Sequence, residues 1–274
     1  MDYLEYYNLK EQPFSNVVDN RFYYSNSQHS NALIKLKYAI DTRKGLAVVI
    51  GDIGTGKTTL ARRLLEELDE EQYEAALLVV IHSSVTSEWL LRKFAMQLGV
   101  SDVKENKIDV LSQIYRRLSD INDSGKKAVV MIDEVQMLHS KEIMEEFRGI
   151  LNMEMSEGKM VNFIFFGLPE LDNVLSLDEP LKQRVAIKIN LTSFSEEGTN
   201  DYIKHRLKVA ECEKEIFTEE AVHLIFKYSN GLPRLINTVC DNALLEGFLF
   251  KTPVVSDSII KTVAIDLGLS NRAE

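Results

Sequence analysis

Four short apolar runs, separated by stretches of helical periodicity, constrain the fold of this chain more than any other feature. The runs cover 46–50, 75–81, 128–132 and 163–166. Each is rich in Val, Ile, Leu or Phe and lacks strict polar alternation, which is typical of strands buried on both faces of a parallel sheet. A fifth strand is predicted over 185–191. Alternation of these strands with helices predicts a doubly wound α/β sheet with right-handed crossovers.

Helical periodicity lies between the apolar runs. Leu60, Leu64 and Leu68 recur at helical spacing after the first run, and the stretches 89–98 and 110–118 have the same pattern. Charged residues fall mostly on the opposite face of each stretch, as expected for helices that cover a sheet. The N-terminal two thirds of the chain is therefore predicted to be one α/β domain.

The strand pattern stops at Ser195, and four helices are predicted beyond it. Ser193 or Ser195 is placed to cap the first helix, and Thr218 the second. Gly231-Leu232-Pro233 ends the second helix and begins the third, and a fourth covers about 256–267. We therefore expect a small helical domain after the α/β domain.

A glycine-rich motif follows the first apolar run and precedes the first helix of the sheet. Its pattern is GxxxxGK[ST], the P-loop or Walker A motif, in the strand–loop–helix context that the motif requires. The residues expected to contact a nucleotide are Gly51, Asp52, Ile53, Gly54, Thr55, Gly56, Lys57, Thr58 and Thr59. Backbone N–H groups and the helix N-terminus bind phosphate, Lys57 reaches the β- and γ-phosphates, and Thr58 is a candidate Mg²⁺ ligand.

Two carboxylates end the third apolar run, at Asp133 and Glu134. Downstream of a P-loop, an acid in this place is expected to hold Mg²⁺, largely through water, as a Walker B residue. The next acid is expected to orient and deprotonate an attacking water. The pair therefore predicts ATP hydrolysis with Glu134 as the base, and argues against a small-molecule kinase.

Residues 1–30 are rich in tyrosine and phenylalanine. The simpler interpretation is that this segment packs on the core of the ATP-binding domain. The alternative is that Pro13-Phe14 or the cluster Phe22-Tyr23-Tyr24 lines one side of an adenine pocket. The predicted domain boundaries are 1–30, 31–193 and 194–274.

The composition excludes several classes of protein. The net charge is −10 and 45% of residues are hydrophobic, which favours a sizeable core and argues against a surface devoted to nucleic acid. No apolar run approaches the about 18–20 residues of a membrane helix, and the N-terminus lacks a signal-peptide pattern. Cys212 and Cys240 have no CxxC spacing, so we expect reduced thiols and a cytoplasmic chain, or one peripheral at the inner membrane.

The motifs resemble those of the AAA+ ATPases of the general secretion pathway protein A (ExeA-like) family over essentially the whole chain. The segments that carry the resemblance are 8–15, the P-loop, Asp133-Glu134-Val135-Gln136, 167–171, 181–184 and 231–237. The resemblance implies a P-loop NTPase of the AAA+ (ASCE) class, with a five-stranded parallel sheet between helices and an all-helical lid. It implies ATP and Mg²⁺ as ligands.

The resemblance also implies roles for two arginines. Arg184 lies where the family has an arginine finger, which reaches the γ-phosphate of a neighbouring subunit. Arg234, after Pro233 in the lid, is similar to the second sensor arginine of the same subunit. Lys57, Glu134, Arg184 and Arg234 are the predicted catalytic residues, and Thr58 and Asp133 the predicted metal ligands.

Two positions depart from the family pattern. Leu168 stands where the family usually has Gln, and a leucine cannot hydrogen-bond the attacking water. His82 aligns with an Asn that can hold the catalytic Glu in an inactive pose. We consider His82 either a substitute partner of Glu134 or a histidine with a structural role at a strand end.

Three functions remain open at this point. The leading one is an ATPase that forms a homo-oligomeric ring or filament and acts as a switch or assembly factor with a protein partner in secretion, pilus or exopolysaccharide export. The second is an ATP-dependent DNA-binding adaptor of the transposition target-selection type, which the net charge and the scattered basic residues do not favour. The third is an ATP-binding module with negligible turnover, suggested by Leu168.

Overall fold

The structure of the chain is a computed structural model that describes residues 2–212 and 214–270. Contacts divide the chain into an α/β unit and a helical unit. The α/β unit comprises Ser27–Ile53 and Lys57–Leu191; the helical unit comprises Met1–Asn26, Gly54–Gly56 and Thr192–Glu274. The predicted order, an α/β domain followed by helices, is thus present.

The α/β unit contains a five-stranded parallel sheet in the order β2-β3-β6-β1-β7. The strands, including those of a small separate hairpin (β4 and β5), are β1 Leu46–Gly51, β2 Tyr73–Val79, β3 Lys127–Asp133, β4 Glu154–Met155, β5 Gly158–Lys159, β6 Val161–Gly167 and β7 Ile187–Leu191. The predicted parallel sheet with helices and a helical C-terminal region is confirmed.

Twelve α-helices are present among the described residues. They are α1 Tyr3–Tyr7, α2 Ser27–Asp41, α3 Lys57–Glu67, α4 Ser87–Gln97, α5 Lys107–Asp123, α6 Lys141–Leu151, α7 Leu171–Leu175, α8 Glu179–Lys182, α9 Glu196–Val209, α10 Glu219–Ser229, α11 Pro233–Leu249 and α12 Asp257–Asp266. Side-chain caps fix two of the predicted starts. Ser195 Oγ accepts the Gly198 N–H at 3.1 Å, and Thr218 Oγ1 accepts the Ala221 N–H at 3.1 Å.

The centre of the sheet is almost fully buried, which explains why its strands read as continuous apolar runs. All residues of β1 and β6 are buried, whereas the edge strand β7 exposes alternate residues. The Phe147 ring packs at 4.8 Å from Phe165 and 5.2 Å from Phe163 between ring centroids. Each buried phenylalanine stabilises the fold by about 1.5–3 kcal/mol.

The N-terminal segment packs within the helical unit. Phe14 is 1% exposed, and its ring meets Phe217 edge-on at 6.0 Å. Arg206 of α9 donates hydrogen bonds to the carbonyl oxygens of Pro13 and Ser15. This differs from the expected packing on the core of the ATP-binding domain, because the aromatic side chains find their apolar partners among the C-terminal helices.

Two further observations concern the cysteines and the apolar length of the helices. Cys212 and Cys240 are free and buried. In the part of the chain that the structure describes, no helix is both long and apolar enough to cross a membrane.

The sheet topology brings the motif residues to one edge. β1, β3 and β6 are neighbours and run in the same direction, so their carboxyl ends, at Gly51, Asp133 and Gly167, meet there. Ligands of open α/β sheets bind outside this edge.

Candidate functional site

The phosphate loop owes its path to two glycines. Gly54 and Gly56 have φ angles of +83° and +97°. Residues with a Cβ adopt such angles only with strain. Gly54 is also tightly approached, since a Cβ there would lie 2.9 Å from the Cβ of Arg234. The loop leads directly into α3, which begins at Lys57. The positive end of the helix dipole at the start of α3 therefore favours an anion at this place.

Lys57 is held inside the loop by its own backbone. Its ammonium group donates hydrogen bonds to the carbonyl oxygens of Gly51 at 2.8 Å and Asp52 at 3.0 Å, and the residue is only 6% exposed. Both of these acceptors are neutral carbonyl oxygens. Lys57 can therefore neutralise phosphate oxygens with little loss of side-chain entropy on binding.

Thr58 and Asp133 form the candidate metal position. The Thr58 hydroxyl donates to Asp133 Oδ2 at 2.5 Å, joining the start of α3 to the end of β3. Burial of Asp133 raises the pKa of its carboxyl group, the Thr58 hydrogen bond lowers it, and the neighbouring Glu134 charge raises it. The net rise reflects a buried negative charge that a cation would stabilise.

The donor set fits Mg²⁺ held jointly with a nucleotide. Among the described residues, no group of three or more His, Cys, Asp or Glu side chains is placed to hold a metal. Mg²⁺ usually takes one or two carboxylates and completes its octahedral shell with phosphates and water. One hydroxyl and one carboxylate, Thr58 and Asp133, meet that requirement.

Glu134 adopts a strained backbone conformation directly after the metal position. Its φ and ψ are 61° and 36°, in the left-handed region, and its backbone N–H donates to Asp133 Oδ1 at 2.9 Å. Its carboxylate accepts a hydrogen bond from Gln136 Nε2. Gln136 is part of the motif Asp133-Glu134-Val135-Gln136, but its position two residues after Glu134 in the sequence does not by itself predict this contact.

His82 does not supply the hydrogen bond considered for it. β2 ends at Val79, and His82 lies beyond it as an exposed residue whose ring is 6.2 Å from that of Trp89. The partner of the Glu134 carboxylate is Gln136 instead. His82 is thus neither at the end of β2 nor the partner of Glu134 in the described contacts.

Arg184 lies just past α8, half-buried, and donates to the Arg148 carbonyl oxygen at 3.2 Å. The neighbouring Arg148 is paired with an acid. Its Nε lies 3.1 and 3.0 Å from the two oxygens of Asp178, which also accepts the Leu181 N–H at 2.8 Å. Arg184 thus has a neutral acceptor where Arg148 has a carboxylate.

Arg234 is the second residue of α11 and is exposed. Its backbone N–H lies 3.4 Å from the carbonyl oxygen of Gly54 in the P-loop. Pro233 begins the helix with a preset φ and no N–H to satisfy, which fixes where Arg234 lies.

Known proteins are similar to this chain in sequence. A protein family described as "AAA domain" matches residues 40–175. General secretion pathway protein A of Aeromonas hydrophila is 32% identical over 249 residues, which are 90% of this chain and 45% of that protein. The chain therefore spans less than half of that relative.

Solved structures share the fold at lower identity. The Aeropyrum pernix ORC2 protein has a TM-score of 0.70 and 13% identity, covering 94% of this chain and 72% of that one. Drosophila ORC bound to DNA has a TM-score of 0.71 and 16% identity, covering 97% and 66%. The P-loop, the strand-end carboxylates, the helical C-terminal region and the match to secretion protein A all agree. They confirm the resemblance of this chain to the AAA+ ATPases of the general secretion pathway protein A family.

Proposed function

We propose that this chain is a Mg²⁺-dependent ATPase that works as an oligomeric switch or assembly factor. The observation that carries the proposal is the convergence of Lys57, the Thr58–Asp133 pair and Glu134 at one edge of the sheet. A phosphate-binding cation, a metal position and a carboxylate next to it are the parts that nucleotide hydrolysis requires.

The chain's own residues divide the work. The loop N–H groups and Lys57 bind the phosphates and neutralise charge that grows on the γ-phosphate oxygens during in-line attack. Thr58 and Asp133 would hold Mg²⁺, which would supply Lewis-acid stabilisation of the phosphate charge. Glu134 orients the attacking water and accepts its proton.

The oligomer completes the site in this proposal. Arg184 reaches the γ-phosphate bound by a neighbouring subunit, and Arg234 contacts that of its own subunit. Hydrolysis then depends on a ring or filament, which couples assembly to ATP. We further propose a protein partner in a secretion, pilus or exopolysaccharide export system, with the chain in the cytoplasm or peripheral at the inner membrane.

The test compares ATP hydrolysis and ATP binding in wild type and Glu134→Gln. We expect Glu134→Gln to bind ATP within a few-fold of wild type and to lose roughly 10²–10⁴-fold in kcat, the contribution of a positioned base. Glu170→Gln, which removes an exposed acid just after β6, is the matched control and should behave as wild type. Tight ATP binding without measurable wild-type hydrolysis would favour the module with negligible turnover.

DNA binding is the second candidate, because one structural neighbour is an ORC bound to DNA. Two of the scattered basic residues are already paired with acids: Arg117 with Glu74 at 3.2 Å and Lys127 with Asp41 at 3.1 Å. This pairing weakens the candidate. ATP-dependent DNA binding that falls steeply with salt concentration would support it.

A further inference from the structure

Gln136 occupies a buried position beside the candidate base. It lies in the short 3₁₀ turn Val135–Met137 that follows Glu134, and it is only 7% exposed. A buried amide costs free energy unless both its donor and its acceptor find partners. The contacts of Gln136 therefore need an explanation beyond packing.

Both ends of the amide are used. Gln136 Oε1 accepts the backbone N–H of Leu168 at 3.1 Å, and Gln136 Nε2 donates to Glu134 Oε2. The orientation of the amide follows from chemistry, because a backbone N–H can only donate and a carboxylate can only accept. The side chain thus bridges the end of β6 and the carboxylate that ends the β3 motif.

Gly167 leaves the space that this bridge needs. Its φ is not positive, so backbone freedom does not explain a glycine there. A Cβ at this position would lie 2.9 Å from Gln136 Oε1 and 3.0 Å from Leu171 Cδ2. A side chain at 167 would therefore displace the amide from Leu168.

The bridge also bears on the strain at Glu134. A non-glycine residue in the left-handed region persists only where its surroundings hold it. The Asp133 carboxylate holds the Glu134 backbone N–H, and Gln136 holds Oε2 of its side chain. Oε1 is the oxygen that remains to face a water.

We propose that Gln136 is the positioning residue for the base Glu134 and ties its carboxylate to the end of β6 at Leu168. This inference rests on the proposed function and deepens it. Leu168 has no polar side chain that could hydrogen-bond the attacking water. Its backbone N–H instead donates to Gln136, which in turn donates to Glu134, so two hydrogen bonds link the end of β6 to the base.

The test uses two variants of the full chain. Gln136→Met keeps the volume and removes both hydrogen bonds; Gln136→Glu keeps an acceptor for Leu168 but replaces the donor by a charge that repels Glu134. We expect both to lower kcat by roughly 10–100-fold, the usual cost of removing a group that orients an active residue. The KM and the Kd for ATP should stay within twofold.

Three comparisons separate positioning from a structural role. Gln183→Met, at an exposed site, is the control and should match wild type. In a Glu134→Gln background, Gln136→Met should lower kcat no further. Wild-type kcat in Gln136→Glu would mean that only the Leu168 bond matters, and a proportional loss of ATP affinity in both variants would mean a distorted pocket. Either result overturns the proposal.

A readout independent of turnover keeps this inference distinct from the proposed function. In ¹⁵N-glutamine-labelled protein, the Gln136 side-chain amide signal is identified by its loss in Gln136→Met. We expect Glu134→Ala to shift that signal. A shift in a chain that does not hydrolyse ATP would reject the proposed function and retain the contact; an unmoved signal would reject the positioning role.

Discussion

Basic side chains have different partners in two regions of the molecule. One is the edge of the sheet that carries the P-loop, here the phosphate edge, and the other is the corner formed by α6 and α8. At the phosphate edge, Lys57 is buried and its ammonium is fixed by two carbonyl oxygens. At the corner, Arg148 is neutralised by the buried Asp178, whereas Arg184 donates to a carbonyl oxygen and remains half-buried. The nearby Glu154 is already paired with Lys159.

The two basic side chains are therefore suited to different ligands. A lysine fixed by its own loop is ready for a ligand within the same chain, with little side-chain entropy left to lose. Arg184 donates to a neutral carbonyl oxygen, whereas Arg148 beside it is paired with a carboxylate. Arg184 is therefore the arginine of this corner that is better placed to bind an anion from another chain. The comparison predicts that the phosphate-binding residues around Lys57, here the cradle, are complete within one chain. It also predicts that Arg184, here the finger, acts on another chain.

The largest expected effect is the loss of hydrolysis in Arg184→Ala. If Arg184 acts across subunits, kcat should fall by roughly 10³–10⁵, the contribution of arginine fingers elsewhere. The specific ATPase activity of wild type should rise with protein concentration, and that rise should vanish in the variant. Lys182→Ala, two residues away, is the matched control and should retain the concentration dependence.

Mixing variants tests whether the effect crosses subunits. Arg184→Ala chains keep an intact Glu134, and Glu134→Gln chains keep an intact Arg184. Equal mixtures should recover activity that neither variant has alone. A mixture as inactive as its components would show that Arg184 acts within its own chain, and the distinction between cradle and finger would be lost.

The next effect is weaker ATP binding in Lys57→Ala. Truncating a buried partner of a charge-assisted hydrogen bond costs about 2–5 kcal/mol, which corresponds to roughly 30- to 5,000-fold in Kd. The measurement is fluorescent-nucleotide titration at fixed Mg²⁺, with exposed Lys35→Ala as control. Equal affinity in Lys57→Ala and wild type would contradict a cradle built within one chain.

The sheet and the motif residues were predictable because their physics is local or periodic. The central strands are buried on both faces, so their sequences are apolar throughout, and the P-loop needs glycine where φ is positive. Ser195 and Thr218 cap their helices through bonds to residues three positions on. The sequence of helix α6 also has helical periodicity, with Ile143, Phe147 and Ile150 buried on one face.

Contacts between distant parts of the chain could not be predicted in this way. Phe14 could equally have lined a nucleotide pocket, and only its contact with Phe217 places it in the helical core. Gln136 meets Leu168 across 32 positions, through the pairing of β3 with β6. His82 was considered as the partner of Glu134 by alignment to a strand end, but β2 stops at Val79.

The smallest effect concerns Asp178, which holds the corner in which Arg184 lies. Asp178→Ala removes the pair with the partly exposed Arg148 and the cap on Leu181, together about 2 kcal/mol of stability. This predicts a thermal midpoint lower by roughly 4–8 °C. Asp178→Asn keeps a capping oxygen and should lose about half as much.

The same variant distinguishes the two regions in function. Because Arg184 donates to the Arg148 carbonyl, loosening α8 in Asp178→Ala should reduce the concentration-dependent part of ATP hydrolysis several-fold. The affinity for ATP should stay within twofold, since no phosphate-edge residue contacts Asp178 in the described hydrogen bonds and ion pairs. An equal loss of ATP affinity and of concentration-dependent hydrolysis would mean that the corner and the cradle are coupled structurally. The two regions would then differ only in the solvent exposure of their basic side chains.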